Sequence, residues 1–515
     1  MNAKYSHCMS RRALAAAAAL CIALGAAAQT RPFDRAQRGS LWLAGSNAAG
    51  LRADSPVGLS YAELYGGAAY GGLHPGWESP SPWEAGAQAR SVKHLDRFSL
   101  KGGFSFDQMS GPDMSGSMSL RPGYFPLDVL EFTPGRKTRQ TYAFDGGVSV
   151  DLSGGWRLGA SMDFTSANYA KRKDLRHTNY LLDMTFSPAL TYTTPSGDMT
   201  FGVDYIFRKT SESIVAEQVG TGESSYYAFL DKGLMYGKYE VWTGSGVHLD
   251  EAGVQGFPQR EYFHGLGLQM SAGRNYYAGI EYLYGSGEAG EKQSVWYRFP
   301  SHNIGVRLAS VLDLGTRKVY LRGTYDWRLQ TNNETVLEKV VSGGVTLTEE
   351  YGSNRILSRE LSRVKLEAEV VRAGFEYTAA VEATAQHAVG SQMYPFVAES
   401  ERSGWRVSFA PAWYRGGWDF GGSAAFAWGS VGNDSLRLAD DASGVLTTPY
   451  RLQDYHDLET MYFTATKAEL SAFLRRNFAG GIYAGLEAGC VKALGTSLPE
   501  GSYRASACIR IGRTF

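Results

Sequence analysis

Apolar and polar residues alternate with period two in segment after segment of this chain. In residues 316–330, Leu321, Tyr325 and Trp327 fall on one face of an extended strand, and Arg322 and Asp326 fall on the other. Such alternation indicates a strand with one face in an apolar medium. The same pattern recurs at residues 156–164, 201–208, 277–284, 363–371 and 467–475. Because these runs are long and carry charges on the polar face, they fit transmembrane strands, which need about 9–11 tilted residues.

One of these runs also allows a helix. Residues 363–371 contain Glu, Lys, Leu and Ala, which favour helices. Helical spacing would scatter the apolar residues of this run around a cylinder, whereas strand spacing places all of them on one face. We therefore interpret the run as a strand.

Short turns and longer polar segments follow each other along the chain. Short turns are predicted near residues 94–97, 153–155, 195–198, 273–275, 313–316, 372–374, 415–417 and 478–480. Longer polar segments are predicted near residues 71–83, 110–138, 168–178, 211–260, 286–293, 331–360, 388–402, 431–462 and 493–502. Bacterial outer-membrane barrels combine short periplasmic turns with longer extracellular loops in this way. The sequence predicts an all-β, antiparallel, up-and-down transmembrane barrel of 18 strands, with 14 or 16 as alternatives, and with both termini in the periplasm.

The composition agrees with a barrel. Glycine supplies 62 of the 515 residues, and tyrosine supplies 31. The glycine content is above the usual value of about 7%. Glycine-rich and tyrosine-rich strands suit a barrel with aromatic girdles at both membrane interfaces. The formal net charge is zero, and so nothing in the composition points to a nucleic-acid partner.

The N-terminus reads as a secretory signal peptide over residues 1–28. Arg11 and Arg12 precede the apolar run Ala13–Ala28, which ends in an A-x-A cleavage pattern before Gln29. After the cleavage site no apolar run approaches the length of about 20 residues that a spanning helix requires. Residues 29–56 alternate poorly and are predicted to be a periplasmic or lumen-plugging lead-in to a barrel over residues 57–515.

The last strand carries the most specific pattern. Its outward face is formed by Tyr503, Ala505, Ala507, Ile509, Ile511 and the terminal residue Phe515. In this ending the chain resembles the outer-membrane proteins of Gram-negative bacteria, whose last strand closes on an aromatic residue. The resemblance implies that Phe515 is an assembly signal for the barrel assembly machinery, and that the mature protein contacts outer-membrane lipid and lipopolysaccharide.

Charged residues on the opposite faces define the predicted lumen. They are Arg322, Asp326, Arg328, Arg363, Lys365, Glu367, Glu369, Glu469, Arg475, Glu487, Arg504 and Arg510. Charges are sorted inward because a basic residue at the lipid midplane costs about 2–4 kcal/mol. The lumen is then either packed by salt bridges or a water-filled conduit that selects small solutes, and an 18-strand barrel is wide enough for an aqueous channel.

Two predicted extracellular segments are acidic. Residues 431–462 contain six acidic and two basic residues, and residues 211–260 contain seven acidic and three basic residues. Each segment therefore has a net charge of −4, and divalent cations could bridge such segments to one another or to lipopolysaccharide.

Signatures of chemistry are sparse. Residues 285–290 match G-x-G-x-x-G, but a strand rather than a helix follows, which argues for an extracellular loop rather than a dinucleotide site. No nucleophile elbow, H-E-x-x-H or C-x-x-C motif occurs, and no cofactor is expected. Asp454, His456, Asp457 and Glu459 lie together in one predicted extracellular segment, and with His264 they are the candidates for a rim-located hydrolase. The leading hypothesis is a porin-like conduit for small solutes, and the alternatives are a barrel for structure or surface interaction and, third, such a hydrolase.

Two cysteines, Cys490 and Cys508, remain after signal cleavage. Alternation places Cys490 with the outward residues of its strand and Cys508 with the inward residues of the last strand. A disulfide between neighbouring strands requires both side chains on one face, and so both thiols are predicted to stay free.

Overall fold

The chain forms a closed antiparallel barrel in a computed structural model. The structure describes residues 33, 40–42, 46–54, 58–173, 175–217, 228–233, 239–242, 253–291, 294–342, 345–393, 396–433, 448–495 and 498–515. The predicted signal peptide lies outside these ranges, and so do six acidic residues of the segments 211–260 and 431–462, namely Glu223, Asp250, Glu251, Asp434, Asp440 and Asp441.

The described elements are mostly strands. In chain order they are β1 (Gly58–Tyr70), β2 (Trp83–Leu95), β3 (Phe98–Ser117), β4 (Asp128–Asp151), β5 (Trp156–Lys171), β6 (Arg176–Thr193), β7 (Met199–Glu217), β8 (Ala228–Asp231), β9 (Tyr239–Trp242), β10 (Gly253–Ala272), β11 (Tyr276–Glu291), β12 (Ser294–Arg298), β13 (Ser301–Asp313), β14 (Arg317–Ser342), β15 (Val345–Arg372), β16 (Phe375–Met393), β17 (Phe396–Arg415), β18 (Trp418–Gly432), β19 (Thr466–Asn477), β20 (Ile482–Leu494) and β21 (Tyr503–Thr514). The helices are α1 (Leu51–Asp54) and α2 (Thr448–Thr464), with 3₁₀ turns at Ala48–Gly50, Ser153–Gly155 and Ala479–Gly481.

Eighteen of these strands form the barrel wall. Each wall strand pairs antiparallel with its neighbours in chain order, and β1 pairs with β21 to close the sheet. The three short strands β8, β9 and β12 are additions at one end, because β7 pairs directly with β10 and β11 pairs directly with β13. The prediction of 18 antiparallel strands is therefore confirmed.

The two ends of the barrel differ. All the predicted short turns lie at one end, which we call the turn end, together with the start of β1 and the end of β21. Two of these turns contain Gly154 and Gly480 with φ of 69° and 72°, a backbone region that glycine adopts without steric cost. The other end, the loop end, carries β8, β9, β12 and α2.

An apolar belt surrounds the wall. Outward side chains such as Leu266, Leu366 and Ile509 are 59%, 59% and 58% exposed. Trp418 and Trp428, both exposed, lie ten residues apart on β18. At a rise of about 3.3 Å per residue and a tilt of about 40°, this spacing corresponds to roughly 25 Å, the height of the apolar band of a membrane barrel.

Aromatic side chains mark both edges of the apolar belt. Near the turn end, Trp156 packs against Tyr192 with ring centroids 4.8 Å apart. Towards the loop end, Trp405 stacks on Trp428 at 6.4 Å. The belt and its aromatic edges explain why the apolar face of each alternating strand points outward.

Several segments predicted to be loops are strands instead. β14 continues to Ser342 and β15 begins at Val345, so that paired strands occupy most of residues 331–360, and β16 and β17 continue through most of residues 388–402. The G-x-G-x-x-G stretch lies within β11 rather than in a loop. These predictions were wrong because the strands keep their pairing beyond the apolar belt although their alternation ends there. Some of their side chains meet water, and others, such as Ala289 and Ile356, join the core inside the barrel.

The two cysteines lie on different faces of the wall. Cys508 is buried on β21 beside Glu487, whereas Cys490 is partly exposed on β20 beside Ala505. Both thiols are free, as predicted.

The main apolar core lies inside the barrel at its loop end. It includes residues of β4, β7, β10, β12 and β15, and its members are Met118, Phe125, Leu127, Val129, Leu175, Ile214, Ala216, Ala228, Leu230, Phe257, Ala289, Tyr297, Phe299 and Ile356. This core fills part of the lumen. Neither helix in the described part of the chain has the length and apolar character needed to cross a membrane.

Candidate functional site: the barrel lumen

The lead-in segment packs inside the barrel at the turn end. Of its described residues, 40–42 and 46–54 are called the plug below. Trp42 is 2% exposed and packs edge-on against Tyr277 of β11, with ring centroids 5.4 Å apart. The indole Nε1 donates a hydrogen bond to Ser271 Oγ at 3.1 Å. The plug therefore contacts wall side chains that point into the lumen.

Polar contacts fix the plug across the lumen. Asn47 caps the 3₁₀ turn Ala48–Gly50 by accepting a hydrogen bond from Ala49 N–H at 3.0 Å. The same side chain donates to Gln269 Oε1 at 2.9 Å. The backbone carbonyl of Ala49 accepts a hydrogen bond from Ser149 Oγ at 3.1 Å. Asn47 thus links the turn of the plug to β10, and Ala49 links it to β4.

Two glycines of the wall make room for the plug. A Cβ atom at Gly159 would lie 2.3 Å from the backbone nitrogen of Ala49. A Cβ atom at Gly202 would lie 2.8 Å from Asn47 Nδ2. Any larger residue at these positions would therefore displace the plug.

A second segment crosses the lumen nearer the loop end. Residues 118–127, called the strap, join β3 to β4. Glu212 of β7 accepts a hydrogen bond from Leu120 N–H at 2.7 Å, and Asn179 donates to the Met118 carbonyl at 2.6 Å. On the opposite wall, Arg359 of β15 donates to the Gly123 carbonyl at 2.8 Å. The strap is thus held from both sides of the barrel.

Fully buried charges lie beside the strap. Lys171 Nζ lies 2.6 Å from Glu131 and Lys137 Nζ lies 3.6 Å from the same carboxylate, with all three side chains at 0% exposure. Burial lowers the pKa of Lys137 to about 8. Burial also raises the pKa of Asp128 to about 7, although the hydroxyls of Ser117 and Ser119 partly offset this effect.

The helix α2, called the lid helix, covers another part of the loop end. Leu452 is buried, and Glu459 Oε1 accepts a hydrogen bond from Gly76 N–H at 2.6 Å. Tyr455 packs so closely on Gly76 that a Cβ atom there would lie 2.8 Å from its ring. Burial raises the pKa of Glu459 to about 7. The contact of Phe463 with Gly404, an inward position of β17, shows that the helix enters the barrel.

The lid helix is a departure from the prediction, which treated residues 431–462 as a polar loop. Pro449 lies in its first turn, where proline is tolerated because its missing N–H would have no helical partner. Leu452, Tyr455 and Tyr462 recur at helical spacing and point to the barrel interior.

All twelve charged residues predicted for the lumen take part in ion pairs. The pairs are Arg322 with Glu367 and Glu369, Arg328 with Glu261, Arg307 with Asp326, Arg363 with Glu382, Lys365 with Glu367, Arg406 with Glu469, Arg475 with Asp419, Arg510 with Glu63 and Glu487, and Arg504 with Glu78. Their role in lining a conduit stays a prediction.

The sequence interpretation missed many partners in these pairs. Glu261, Asp419 and Glu63 are 0%, 7% and 3% exposed. Each of these acids lies in a strand where inward polar residues alternate with outward apolar ones, as buried Glu63 stands next to exposed Leu64. Counting every alternating strand, rather than the clearest ones, would have found them.

Two of the cavities inside the barrel, called chambers below, lie between the plug, the strap and the lid helix. The lower chamber, of about 670 Å³, is lined by Ser40, Leu41 and Ser46 of the plug and by wall residues including Arg322 and Glu367. The upper chamber, of about 490 Å³, is lined by Trp77, the strap residue Leu120, the lid residue Tyr462, and Glu469 and Arg504. Both volumes are in the ~300–1,000 Å³ range of small-molecule sites.

The residues considered for a hydrolase do not form one group. Asp454, His456, Asp457 and Glu459 lie on the lid helix, and His456 and Glu459 line a further cavity of about 360 Å³. His264 lies on the outer face of β10, where Nδ1 is 2.6 Å from the hydroxyl of Tyr205. The structure therefore separates His264 from the lid residues.

One exposed cluster of metal-binding residue types occurs among the residues that the structure describes. The donor atoms of His387, Glu399 and Glu401 lie within 4.8 Å of one another, and all three side chains are exposed. The cluster lies outside both chambers, since none of the three residues lines either cavity.

Comparison with known proteins gives one family. The model of a family of unknown function, DUF6850, matches residues 48–515. No curated protein matches the sequence.

Solved structures with a similar arrangement include large outer-membrane barrels. The outer membrane transporter YddB from Escherichia coli is 8% identical, with a TM-score of 0.44 over 90% of this chain and 81% of that chain. The FrpB iron transporter from Neisseria meningitidis is 8% identical, with a TM-score of 0.43 over 91% and 83%. The ferric enterobactin receptor PfeA from Pseudomonas aeruginosa is 10% identical, with a TM-score of 0.42 over 90% and 82%.

Proposed function

Since this chain belongs to DUF6850, a family of unknown function, we propose a function from its own geometry: it is an integral outer-membrane barrel that acts as a gated conduit for small polar solutes. The observation that carries this proposal is the pair of charged chambers inside a closed 18-strand wall. A barrel serving only as a scaffold has no need of polar cavities of several hundred Å³ along its axis.

The apolar belt supports a membrane location. In water, the exposed apolar surface of outward side chains such as Leu321 and Leu366 would be unfavourable by about 25 cal/mol per Å². In lipid the same side chains are solvated, and the closed sheet leaves no unpaired strand edge in the membrane. The turn end then faces the periplasm with both termini, and the loop end faces outward.

Two obstructions support gating. The plug stands at the turn end of the lower chamber, and the strap with the lid helix stands at the loop end of the upper chamber. The strap is held by Glu212 and Arg359, whereas the main polar anchor of the lid helix is the hydrogen bond from Gly76 to Glu459. We propose that the lid helix and the plug are displaced when the conduit opens, whereas the strap, which joins two wall strands and is held from both sides, stays in place as a constriction.

The test combines fractionation with solute flux. The full-length protein should fractionate with outer membranes, and purified protein in liposomes should permit swelling with small sugars at rates that fall with sugar size. Recovery in the soluble periplasm, or liposomes that swell no faster than protein-free liposomes, would contradict the proposal.

One observation favours a second function, surface interaction. Beyond Glu334, the described residues of β14 pair only with β15, and residues 335–342 and 345–352 project from the barrel with exposed Val341 and Tyr351. Exposed apolar side chains on a projection suit contact with another macromolecule. Replacing residues 335–352 by a short turn should leave solute flux unchanged if the conduit is the main function. Loss of a cell-surface phenotype with intact flux would favour the second function instead.

A further inference from the structure

The charges around the two chambers are balanced. The lower chamber is lined by four bases and four acids, namely Arg90, Lys101, Arg307, Arg322, Asp145, Asp163, Glu281 and Glu367. The upper chamber is lined by three bases and three acids, namely Arg139, Lys467, Arg504, Glu78, Glu84 and Glu469. A cavity lined by one sign of charge would concentrate the opposite ion, but neither chamber is of this kind.

Many of these charges are also engaged with each other or with the wall. In the upper chamber, Arg504 lies 3.4 Å from Glu78, and Glu469 lies 2.7 Å from Arg406. A charged solute that displaced one partner would leave the other without its counter-charge, which is unfavourable where the pair is shielded from water. The chambers therefore select against ions of either sign as tightly bound solutes.

An uncharged solute with many hydroxyl groups meets no such cost. A guanidinium has five N–H donors and a carboxylate about four lone-pair sites, so that ion-paired groups keep spare hydrogen-bonding capacity. A hydroxyl both donates and accepts, and it can use either kind of group without breaking the pair. Arg504, for example, also donates to the Ser79 carbonyl at 3.3 Å while it faces Glu78.

An aromatic ring in the upper chamber completes the match. Trp77 lines the upper chamber and the cavity beside the lid helix. The ring of Tyr462 is covered by Lys467 Nζ at 3.8 Å, but no ring or cation lies over Trp77 among the residues that the structure describes. A half-buried indole offers a flat apolar face, which suits the C–H face of a sugar ring.

We propose that the upper chamber binds uncharged polyhydroxylated solutes of the mono- to disaccharide class, and that Trp77 supplies the stacking surface. The proposal rests on the conduit function and names its substrate class. The lower chamber is lined by one aromatic side chain, Tyr277, and plug contacts already occupy its ring, so we assign solute passage rather than binding to it.

The first test measures ion selectivity with the full-length protein in planar bilayers under a KCl gradient. Balanced chambers predict a reversal potential near zero. Glu84→Gln leaves the upper chamber with a net positive charge and should shift the reversal potential towards anion selectivity. Lys467→Gln should shift it towards cation selectivity. The control Glu360→Gln removes an acid on the outer face, beside Trp327, and should cause no shift.

The second test measures block of the channel current by added glucose or sucrose, compared with glucuronate and glycylglycine. The neutral sugars should block, and Trp77→Ala should weaken the block by about threefold to tenfold while the open-channel conductance is kept. Trp418→Ala, on the outer face of β18, is the matched control.

The results separate this proposal from the conduit function. Three results with a conducting protein would overturn the substrate class and leave the conduit function intact. They are strong ion selectivity, block by glucuronate or glycylglycine but by neither sugar, and a sugar block that Trp77→Ala does not change. A folded protein that never conducts would overturn the conduit itself.

Discussion

The carboxylate of Glu459 accepts a hydrogen bond from the backbone N–H of Gly76 at 2.6 Å, and this contact ties the lid helix to the segment between β1 and β2. Burial is the main reason that the pKa of Glu459 rises from 4.5 to about 7. The hydrogen bond from Gly76, together with Arg402 and His456, opposes the rise, whereas Glu78 adds to it. The docked helix thus favours the protonated carboxyl.

The docked lid helix should therefore be most stable in acid. Because the pKa is raised in the docked state, the stabilisation is fully present below about pH 4.5 and is lost as pH rises through about 7. Hydrogen exchange of the amides of α2, corrected for intrinsic rates, should show more protection at pH 5 than at pH 8. Glu459→Gln should flatten this difference. Equal protection at both pH values in the unsubstituted protein would contradict the assignment.

Outward and inward positions of β14 should respond differently to a new charge. Leu321 is 42% exposed on the apolar belt, whereas Thr324 lines the lower chamber. Leu321→Arg should lower the free energy of unfolding by about 2–4 kcal/mol near the membrane midplane, and Thr324→Arg by much less. Refolding titrations in lipid vesicles measure both variants, and equal losses would show that the two faces are misassigned.

A buried and an exposed ion pair offer a matched comparison. Asp419 and Arg475 have side chains that are 9% and 6% exposed, with Nε to Oδ2 at 2.8 Å, whereas Arg298 and Glu350 are 45% and 40% exposed. Asp419→Ala leaves a buried charge unpaired and should cost about 3–5 kcal/mol. Glu350→Ala should cost no more than about 1 kcal/mol. Denaturant titrations that give similar losses would argue against a buried charge network in the wall.

The terminal residue should matter for assembly. Phe515 is 66% exposed at the turn end, its N–H donates to the Ser60 carbonyl at 2.8 Å, and Arg513 lies over its ring at 4.8 Å. Removal of Phe515 takes away a hydrogen bond of the β1–β21 seam and the terminal apolar group, and it should lower the folded, heat-modifiable fraction on gels. An unchanged fraction would count against the role of this residue in closure.

The wall was predictable because lipid enforces alternation. Within the belt each outward residue must be apolar, so that strands such as β14 and β19 show their faces directly in the sequence. This constraint ends at the membrane surface. The hairpin strands beyond Glu334 are largely exposed, whereas the upper part of β16 includes Ala388 at 0% exposure, and neither shows the alternation of the belt.

The contents of the lumen were harder to predict. The plug is held by single polar contacts of Asn47 and by the fit of Ala49 against Gly159, which leave no periodic pattern. The lid helix did leave a signal, the helical spacing of Leu452, Tyr455 and Tyr462, but the polar residues between them outweighed it. Ion pairs between distant strands, such as Arg328 with Glu261, depend on the register around the barrel, which alternation alone does not fix.

The central claim, a conduit closed by two gates in series, is tested most directly by single-channel conductance of variants that loosen each gate. Trp42→Ala with Asn47→Ala removes the main anchors of the plug, and Tyr455→Ala removes the side chain that packs the lid helix on Gly76. Because gates in series must both open, the variant with all three substitutions should show a much higher open probability than either the plug variant or the lid variant. Heat modifiability on gels checks that each variant is folded. If the folded triple variant conducts no more than the unsubstituted protein in planar bilayers, the lumen is not a gated conduit.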